Sequence, residues 1–285
     1  MRYFKYSVFV VFIFVVILLL LGIQRGGNVT PRQLNPNKPM VFIHRGMNYG
    51  FAENSTDAFH KTLEHGFHMV ETDIRYTKDK KLVVFHDESC ERLLGISDSL
   101  KNLNFSQIQK HQLLFNGEKT ENKVLLLDDF LSQYNDSLTV YLDIKQKERW
   151  IADTLLVKLE QQKAYQSILI ASTDFWFVAY LKLKNKNIQT VLEGFNAGKG
   201  WLLFFIPARV KPDFYSGFLH KTTAKHLRFL KQINYLNRRM VYGVDCTNIN
   251  QVFELGIQHI IVDYHPQMGT PKTLKHQLKS HALNQ

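Results

Sequence analysis

The sequence is poor in several features that mark particular classes of protein. Two cysteines in 285 residues are too few for a disulfide framework or a cysteine-rich zinc site. After the first two dozen positions there is no long apolar run, which excludes a membrane protein with several spans. Seven prolines, 45% hydrophobic residues and 21% charged residues exclude a collagen-like, low-complexity or disordered chain.

Acidic residues are outnumbered by basic ones. The chain has 36 basic and 25 acidic residues, a formal charge of +11 and a pI near 9.5, which favours anionic partners such as phosphate esters, lipid headgroups or nucleic acid. A lysine-rich, solvated surface gives the same composition. No nucleic-acid motif accompanies the charge, and Lys182, Lys184 and Lys186 fit one solvated helix end. We therefore expect no nucleic-acid partner.

Residues 8–23 contain no charged or strongly polar side chain. With the aromatic residues just before it, this run reaches the roughly 20 residues that cross a hydrocarbon core. We therefore predict an uncleaved N-terminal transmembrane anchor over residues 1–25 and a linker over residues 26–38. A cleaved signal is the alternative, although no A-x-A pattern follows the run. The flanking basic residues nearly balance, and the short N-terminal head favours a single-pass membrane protein whose body lies outside the cytoplasm.

Residues 39–285 are predicted to form one large α/β domain, because short β-branched runs alternate with helical patterns. The nine strand candidates are residues 40–44, 69–74, 82–87, 139–145, 167–172, 190–194, 214–219, 240–246 and 259–264. The second and third are separated by seven residues, too few for a parallel crossover, so we expect an antiparallel hairpin there. The other eight strands predict a (β/α)₈ TIM barrel.

Helix starts and two long connections complete the pattern. Asn54-Ser55 is expected to cap a helix, and so is Asp174. Residues 88–127 are longer than a usual strand-to-helix loop and are expected to overhang the pocket as an insertion. The loop after residues 190–194 contains a group of aromatic residues, for which packing as a lid and a membrane-facing lip both stay open. These are Trp201, Phe204 and Phe205.

Ionisable residues follow four of the predicted strands, at the carboxyl ends where parallel barrels have their active sites. They are His44 and Arg45, Glu71 and Asp73, His86 and Asp87, and Asp143 and Lys145. Alternation along a strand puts Glu71 and Asp73 on one face. A hairpin turn centred near Asp79 returns residue 87 beside residue 71. Such side chains are costly to bury unless they are paired or bind a metal, so we expect one shared site.

Three of these residues, Glu71, Asp73 and Asp143, offer hard oxygen ligands that suit Ca²⁺ or Mg²⁺. Packed together without a partner they would repel, so a cation between them is the simplest explanation. The sequence therefore predicts a divalent metal site.

The remaining residues suit phosphodiester chemistry. His44 and His86 are candidates for acid and base on either side of a scissile P–O bond. Arg45 and Lys145 are candidates for binding the non-bridging phosphate oxygens. Gly46 is expected to let the backbone approach the ligand.

Residues 40–267 resemble the glycerophosphodiester phosphodiesterases, a family of (β/α)₈ barrels. The resemblance is densest over residues 41–87, where HRG, AENST, ETD and TKDKKLVVFHD match in order the family blocks H-R-G, P-E-N-T, E-x-D and T-K-D-G…V-x-x-H-D. By that resemblance His44 and His86 form the acid–base pair, Arg45 binds phosphate, and Glu53, Asn54 and Asp87 support the site. The metal would be held by Glu71, Asp73 and the carboxylate of the family's E-x-K strand, here Asp143-Ile144-Lys145.

The sequence departs from the family pattern in four places. Ala52 replaces a proline. Asp143 replaces a glutamate, which shortens the ligand by one methylene and predicts weaker metal binding. Tyr242-Gly243-Val244 replaces Trp-Thr-Val, and residues 262–266 match the final T-D-Y-P imperfectly. These last two changes suggest a shifted headgroup preference.

We expect a metal-dependent hydrolysis of glycerophosphodiesters to an alcohol and glycerol 3-phosphate, with Ca²⁺ or Mg²⁺ as cofactor. Two alternatives remain open. One is a phospholipase D-like hydrolase of lysophospholipid or sphingolipid at the membrane. The other, suggested by Asp143, is a non-catalytic, membrane-tethered protein that binds phosphate or lipid.

Overall fold

A computed structural model describes residues 2–24, 34–196 and 200–283 of the chain. Its strands are β1 (Met40–His44), β2 (Met69–Tyr76), β3 (Leu82–Val84), β4 (Leu114–Phe115), β5 (Glu118–Lys119), β6 (Thr139–Ile144), β7 (Ile168–Ser172), β8 (Gln189–Leu192), β9 (Phe214–Phe218), β10 (Arg239–Val244) and β11 (His259–Val262). Its helices are α1 (Arg2–Gln24), α2 (Thr56–Glu64), α3 (Glu91–Leu94), α4 (Phe105–Ile108), α5 (Leu127–Tyr134), α6 (Arg149–Gln161), α7 (Phe175–Lys184), α8 (Ala224–Gln232), α9 (Ile249–Glu254) and α10 (Pro271–Leu283).

Eight parallel strands close into a barrel, which confirms the predicted TIM barrel. Strands β1, β2 and β6 to β11 follow one another in chain order around the sheet, and β1 pairs with both β2 and β11. Helices α6, α7, α8 and α9 each connect two consecutive strands. Between β8 and β9 the described residues instead form two 3₁₀ turns, at Gly200–Phe204 and Ala208–Val210.

Alternate residues of each strand face the barrel interior. In β1, Met40 and Phe42 belong to a buried cluster with interior residues of the other strands. Val41 and Ile43, on the opposite face, pack in a separate cluster with residues of the outer helices. The same alternation turns His44 inward at the carboxyl end of β1. The strand ends thus direct polar side chains into the mouth of the barrel.

Strand β3 returns antiparallel to β2, as predicted. Ile74 pairs with Val84 and Tyr76 with Leu82, which is the register of a turn centred at Asp79. The strand is three residues shorter than predicted, so the His-Asp pair lies in the loop after it. The hairpin nevertheless returns that pair to the mouth of the barrel.

Helices α2 and α7 start at their predicted caps. The Ser55 hydroxyl accepts a hydrogen bond from Ala58 N at the start of α2. The Asp174 carboxylate accepts one from Phe177 N at the start of α7. These bonds satisfy backbone donors that a helix leaves without partners at its first turn.

The predicted insertion forms a small subdomain beside the mouth. It contains α3, α4 and the β4–β5 hairpin, which the sequence did not predict. Its apolar side chains, including Leu93, Ile108 and Leu113, form a buried cluster together with Val83 of β3 and Phe85 just after it. The insertion is therefore fixed to β3, and the second histidine lies in the loop that follows this strand.

Helix α1 covers the apolar run near the N-terminus. None of the helices within residues 2–24, 34–196 and 200–283 combines the length and hydropathy that crossing a membrane requires. The structure therefore gives no support to the transmembrane anchor predicted over residues 1–25, which was inferred from the apolar composition alone. Most of the predicted linker, residues 26–33, lies outside the described residues. From Leu34 onward the chain packs against the barrel core.

Candidate active site

The carboxylates of Glu71, Asp73 and Asp143 converge inside the barrel mouth. Glu71 and Asp73 lie on β2, and Asp73 pairs in register with Asp143 on β6. Each side chain offers an oxygen, and these three oxygens lie within 4.8 Å of one another. All three residues are buried. The structure thus brings together the three residues that the sequence predicts as metal ligands.

Two cations neutralise part of this negative charge. Lys145 Nζ lies 2.8 Å from Asp73 Oδ1 and also contacts the Asp143 carboxylate, and Arg45 Nε lies 3.2 Å from Asp73 Oδ2. Burial would raise the pKa of Asp73, but Lys145 and Arg45 outweigh it and lower that pKa. Burial and the Asp73 carboxylate raise the pKa of Glu71. An added positive charge would therefore stabilise the ionised form of Glu71.

This donor set fits a hard divalent cation. Three buried carboxylates supply oxygen ligands of the kind that Ca²⁺ and Mg²⁺ prefer, and the two cationic side chains leave the cluster with unbalanced negative charge. Because neither cysteine nor histidine belongs to this group, it is less suited to a soft metal.

Two residues with positive φ shape the loop after β1. Arg45 has φ 56° and Gly46 has φ 73°, and the Arg45 N–H donates to Glu71 Oε2 at 3.0 Å. A Cβ on Gly46 would lie 3.0 Å from atoms of Ala58 and Phe59 in α2. The positive φ and the close approach of this helix both favour glycine here, and the predicted approach of the backbone to a ligand stays a prediction.

Glu53 and Asn54 support this loop from below. The Asn54 N–H donates to Arg45 O at 2.9 Å, and Asn54 Nδ2 donates to Asp73 Oδ2 at 2.9 Å. The Thr72 hydroxyl donates to Asn54 Oδ1 at 2.6 Å, while Glu53 Oε1 accepts from Arg45 Nη1 at 2.9 Å. Asn54 thereby connects the loop after β1 to the carboxylates of β2.

His44 is held by a carboxylate from the last strand. Its Nδ1 lies 2.7 Å from Asp263 Oδ1, and its Nε2 lies 3.8 Å from Glu71 Oε2. Burial would lower the pKa of His44, but Glu71 and Asp263 outweigh it and raise that pKa. Asp263 was not predicted as a partner of His44. The sequence could have indicated this contact, because the first and last strands of a closed barrel are neighbours.

His86 has a similar arrangement in the loop after β3. Its Nδ1 lies 2.7 Å from Asp87 Oδ1, and burial lowers its pKa despite the nearby carboxylates of Asp73 and Asp87. Arg92 of α3 donates to Asp87 Oδ2 at 2.7 Å and to Glu53 Oε1 at 2.8 Å. Arg92 lies in the insertion, where no sequence pattern indicated a role. It ties the insertion to the site.

Glu193 is a further residue at the mouth that the sequence analysis missed. Its Oε1 accepts a hydrogen bond from the Tyr141 hydroxyl at 2.6 Å, and its pKa is raised by burial and by the Asp143 carboxylate. The sequence could have indicated Glu193, because it lies directly after β8 and the predicted site residues also lie at the ends of strands. Glu193 extends the acidic cluster towards β8.

The profile of the glycerophosphoryl diester phosphodiesterase family matches residues 44–265. Among curated proteins, the chain is 27% identical over 219 residues to an uncharacterized protein of Mycoplasma genitalium, with 70% of this chain and 84% of that protein covered. It is 29% identical over 185 residues to a probable glycerophosphodiester phosphodiesterase of Mycobacterium tuberculosis. That match covers 65% of this chain and 66% of the mycobacterial protein.

A solved structure has the same fold. The structure of an Oleispira antarctica phosphodiesterase in complex with the product sn-glycerol-3-phosphate matches with a TM-score of 0.67 at 17% identity, covering 87% of this chain and 98% of that one. The family profile extends from the histidine that ends β1 to beyond β11, and so includes the whole set of strand ends described above. The chain therefore belongs to the glycerophosphoryl diester phosphodiesterase family and is a phosphodiesterase.

Proposed function

We propose that the chain hydrolyses glycerophosphodiesters to an alcohol and glycerol 3-phosphate in a reaction that requires a divalent cation. The observation that carries the proposal is the buried cluster of Glu71, Asp73 and Asp143, with Arg45 and Lys145 beside it. Carboxylates alone would repel an anionic phosphodiester. With a cation among them and two basic side chains at their edge, they form a site for a negatively charged group.

Arg45 and Lys145 orient the phosphate in this proposal. Arg45 is fixed by Glu53 and Asp73, and Lys145 by Asp73 and Asp143. Because these contacts already restrict both side chains, little further conformational freedom is lost when they bind the phosphate oxygens.

His44 and His86 transfer the protons. In each ring a carboxylate next to Nδ1, from Asp263 or Asp87, sets the orientation and leaves Nε2 available for exchange with the substrate. One histidine accepts a proton from the attacking water molecule as the oxygen of that water forms the new bond to phosphorus. The other histidine donates a proton to the alcohol oxygen as the bond from this oxygen to phosphorus breaks.

Glu71, Asp73 and Asp143 would hold the cation, Ca²⁺ or Mg²⁺, which as a Lewis acid stabilises negative charge on the phosphoryl group. Asp143 reaches less far than a glutamate. We therefore expect the cation to bind more weakly here than where a glutamate occupies this position.

The proposal is tested with the full chain, assayed on glycerophosphocholine after dialysis against a chelator. Activity should disappear and should return on addition of Ca²⁺ or Mg²⁺, with glycerol 3-phosphate detected by phosphorus NMR and choline by proton NMR. A sample dialysed without chelator is the control. Full activity after chelation, or release of phosphocholine in place of choline, would contradict the proposal.

The non-catalytic alternative loses its motivation. It rested on Asp143, whose carboxylate lies with those of Glu71 and Asp73, and the family profile covers this whole region.

The membrane location inferred from residues 8–23 stays a prediction. Extraction of cell membranes with alkaline carbonate tests it, because an integral protein stays in the pellet and a peripheral one is released.

A further inference from the structure

The cation site, formed by Glu71, Asp73 and Asp143, has a fourth acidic side chain beside it. Glu193 directly follows β8, and its N–H donates to Ser172 O at 2.9 Å, which extends the pairing of β7 with β8 by one residue. The backbone at Glu193 is therefore fixed by strand pairing, as it is at the three residues of the cation site.

The Glu193 side chain points into the mouth of the barrel. Val191, two residues earlier, belongs to the buried cluster of the barrel interior, and alternate residues of a strand face the same way. The Tyr141 hydroxyl donates to Glu193 Oε1 at 2.6 Å, and the Tyr141 oxygen lies 3.0 Å from Ser216 Oγ. Both Tyr141 and Ser216 are fully buried. These contacts hold Oε1 from inside the barrel and leave Oε2 for a contact at the mouth.

The carboxyl group of Glu193 contacts that of Asp143. The two groups lie within hydrogen-bonding distance of each other. Ionised carboxylates in contact repel unless a positive charge lies beside them. Lys145 contacts Asp143 but also pairs with Asp73, so it balances only part of this charge. A cation bound to Asp143 would therefore be attracted by Glu193 as well.

Asp143 is the member of the cation site with the shortest reach compared with the family pattern, which has a glutamate there. Glu193 has the longer side chain and adds a carboxylate on the same side of the cluster. With Glu193 included, four carboxylates face the two cationic side chains Arg45 and Lys145. The surplus of two negative charges equals the charge of one divalent cation.

We propose that Glu193 is a fourth carboxylate of the cation site and compensates for the short side chain of Asp143. The proposal rests on the function proposed above, which requires the cation. Ca²⁺ and Mg²⁺ accept water molecules among their ligands, so Glu193 can serve the ion by direct coordination or through a water that the ion carries. Tyr141 then orients Glu193, as outer hydrogen-bond partners orient the ligands of metal sites.

The first test measures binding of Ca²⁺ and Mg²⁺ to the full chain by calorimetry, after removal of metal with a chelator and without substrate. Glu193→Gln keeps the size of the side chain and an oxygen for Tyr141 but removes the charge. Its Kd for the ion that the wild type binds should be at least about tenfold higher, the lower end for groups around a metal site. Glu160→Gln, exposed at the end of α6, is the matched control and should keep the wild-type Kd.

Two results of this titration overturn the proposal in distinguishable ways. An unchanged Kd in Glu193→Gln excludes Glu193 from the cation site and leaves the proposed function intact. A wild type that binds neither ion removes the cation from the proposed function and the role of Glu193 with it.

The second test addresses the compensation. Asp143→Glu restores the longer side chain, so adding Glu193→Gln in this background should change the Kd by less than about twofold. Such non-additivity is expected of residues that share one partner. A loss of about tenfold in both backgrounds would show that Glu193 acts independently of Asp143, and would overturn the compensation.

The third test separates a role at the cation from a purely structural one. Thermal unfolding of the metal-free protein should show Glu193→Gln to be at least as stable as the wild type, because the variant relieves repulsion with Asp143. The rise in Tm on adding the ion should be smaller in the variant, since the ion stabilises in proportion to its binding. A destabilised metal-free variant with an unchanged rise in Tm would overturn the proposal.

Discussion

The mouth of the barrel has two sides that differ in chemistry although both are built from strand ends. On the charged side, the ends of β1, β2 and β6 carry His44, Arg45, Glu71, Asp73, Asp143 and Lys145. On the apolar side, the ends of β7 and β8 border a cavity of about 850 Å³, here called the apolar pocket, whose walls include Phe175, Trp176, Phe177 and Ile206. Glu193 belongs to both sides, since it accepts a hydrogen bond from Tyr141 and lines the pocket.

The difference shows how each side keeps its shape. On the charged side, side chains are fixed by ion pairs and hydrogen bonds, such as those of Asp73 with Arg45, Lys145 and Asn54. Each buried polar group there depends on its partner, so removal of one leaves another unpaired. The apolar side relies on ring contacts, such as Phe175 with Trp176 at 5.3 Å. These contacts are less directional than the ion pairs of the charged side.

The largest effect is expected from the histidines of the charged side. His44→Ala or His86→Ala should lower kcat on glycerophosphocholine at least about 100-fold, the lower end for general acid–base residues. His276→Ala, at an exposed position of α10, is the control and should keep wild-type activity. Wild-type rates in both active-site variants would show that proton transfer lies elsewhere.

The next effect concerns the cation. Asp143→Asn should raise the concentration of Ca²⁺ or Mg²⁺ needed for half-maximal activity by at least about tenfold, since even loss of an outer partner of a metal site has that effect. Asp129→Asn, exposed on α5, removes the same charge away from the site and should change nothing. A metal titration of both variants decides the question, and identical curves would exclude Asp143 as a ligand.

The response to acid should distinguish a buried histidine of α8 from a carboxylate beside the charged side. Burial and Arg239 lower the pKa of His226, in α8 beside Gly200, to about 4. The unfolded chain binds this proton near pH 6.5, so stability falls as the pH falls from there towards 4, by at most about 1.4 kcal/mol per pH unit. In urea unfolding across this range, His226→Gln should show a smaller loss than the wild type. An unchanged pH dependence would contradict this expectation.

At Asp87, beside the charged side, acid should act later than at His226. Burial opposes the shift, but Arg92 and His86 lower the pKa of Asp87 to about 2. Its folded-state pKa lies below the unfolded value near 3.9, so its contribution to stability is present above that pH and is lost as the pH falls towards 2.

The smallest effect is expected at the mouth of the apolar pocket. Trp176→Ala should change the free energy of unfolding by less than about 0.5 kcal/mol, because the side chain is 78% exposed and exposed substitutions have small effects. A loss of several kcal/mol in urea unfolding would show that Trp176 is part of the core.

The charged side was more accessible from the sequence than the apolar side, of which only the aromatic group near Trp201 was indicated, and the difference has a physical reason. Ionisable residues such as Glu71 and Asp143 are costly to bury, so their recurrence at strand ends is informative. The hairpin register was also predictable, because its short turn fixes which residues pair. Apolar residues such as Phe175 and Phe177 have the same pattern in a pocket wall as in a core. Contacts between distant segments, such as that of Arg92 with Glu53, can be identified only in the folded structure.

The hydrogen bond between His44 and Asp263 has a consequence for biosynthesis. The two residues are 219 positions apart and become neighbours when β11 closes the barrel against β1. In a nascent chain that still lacks β11, all six residues of the charged side have been synthesised, but His44 has no Asp263 to orient its ring. Activity should therefore appear only after the last strand has left the ribosome. The onset of hydrolysis would then report closure of the barrel and not the earlier folding of its first strands.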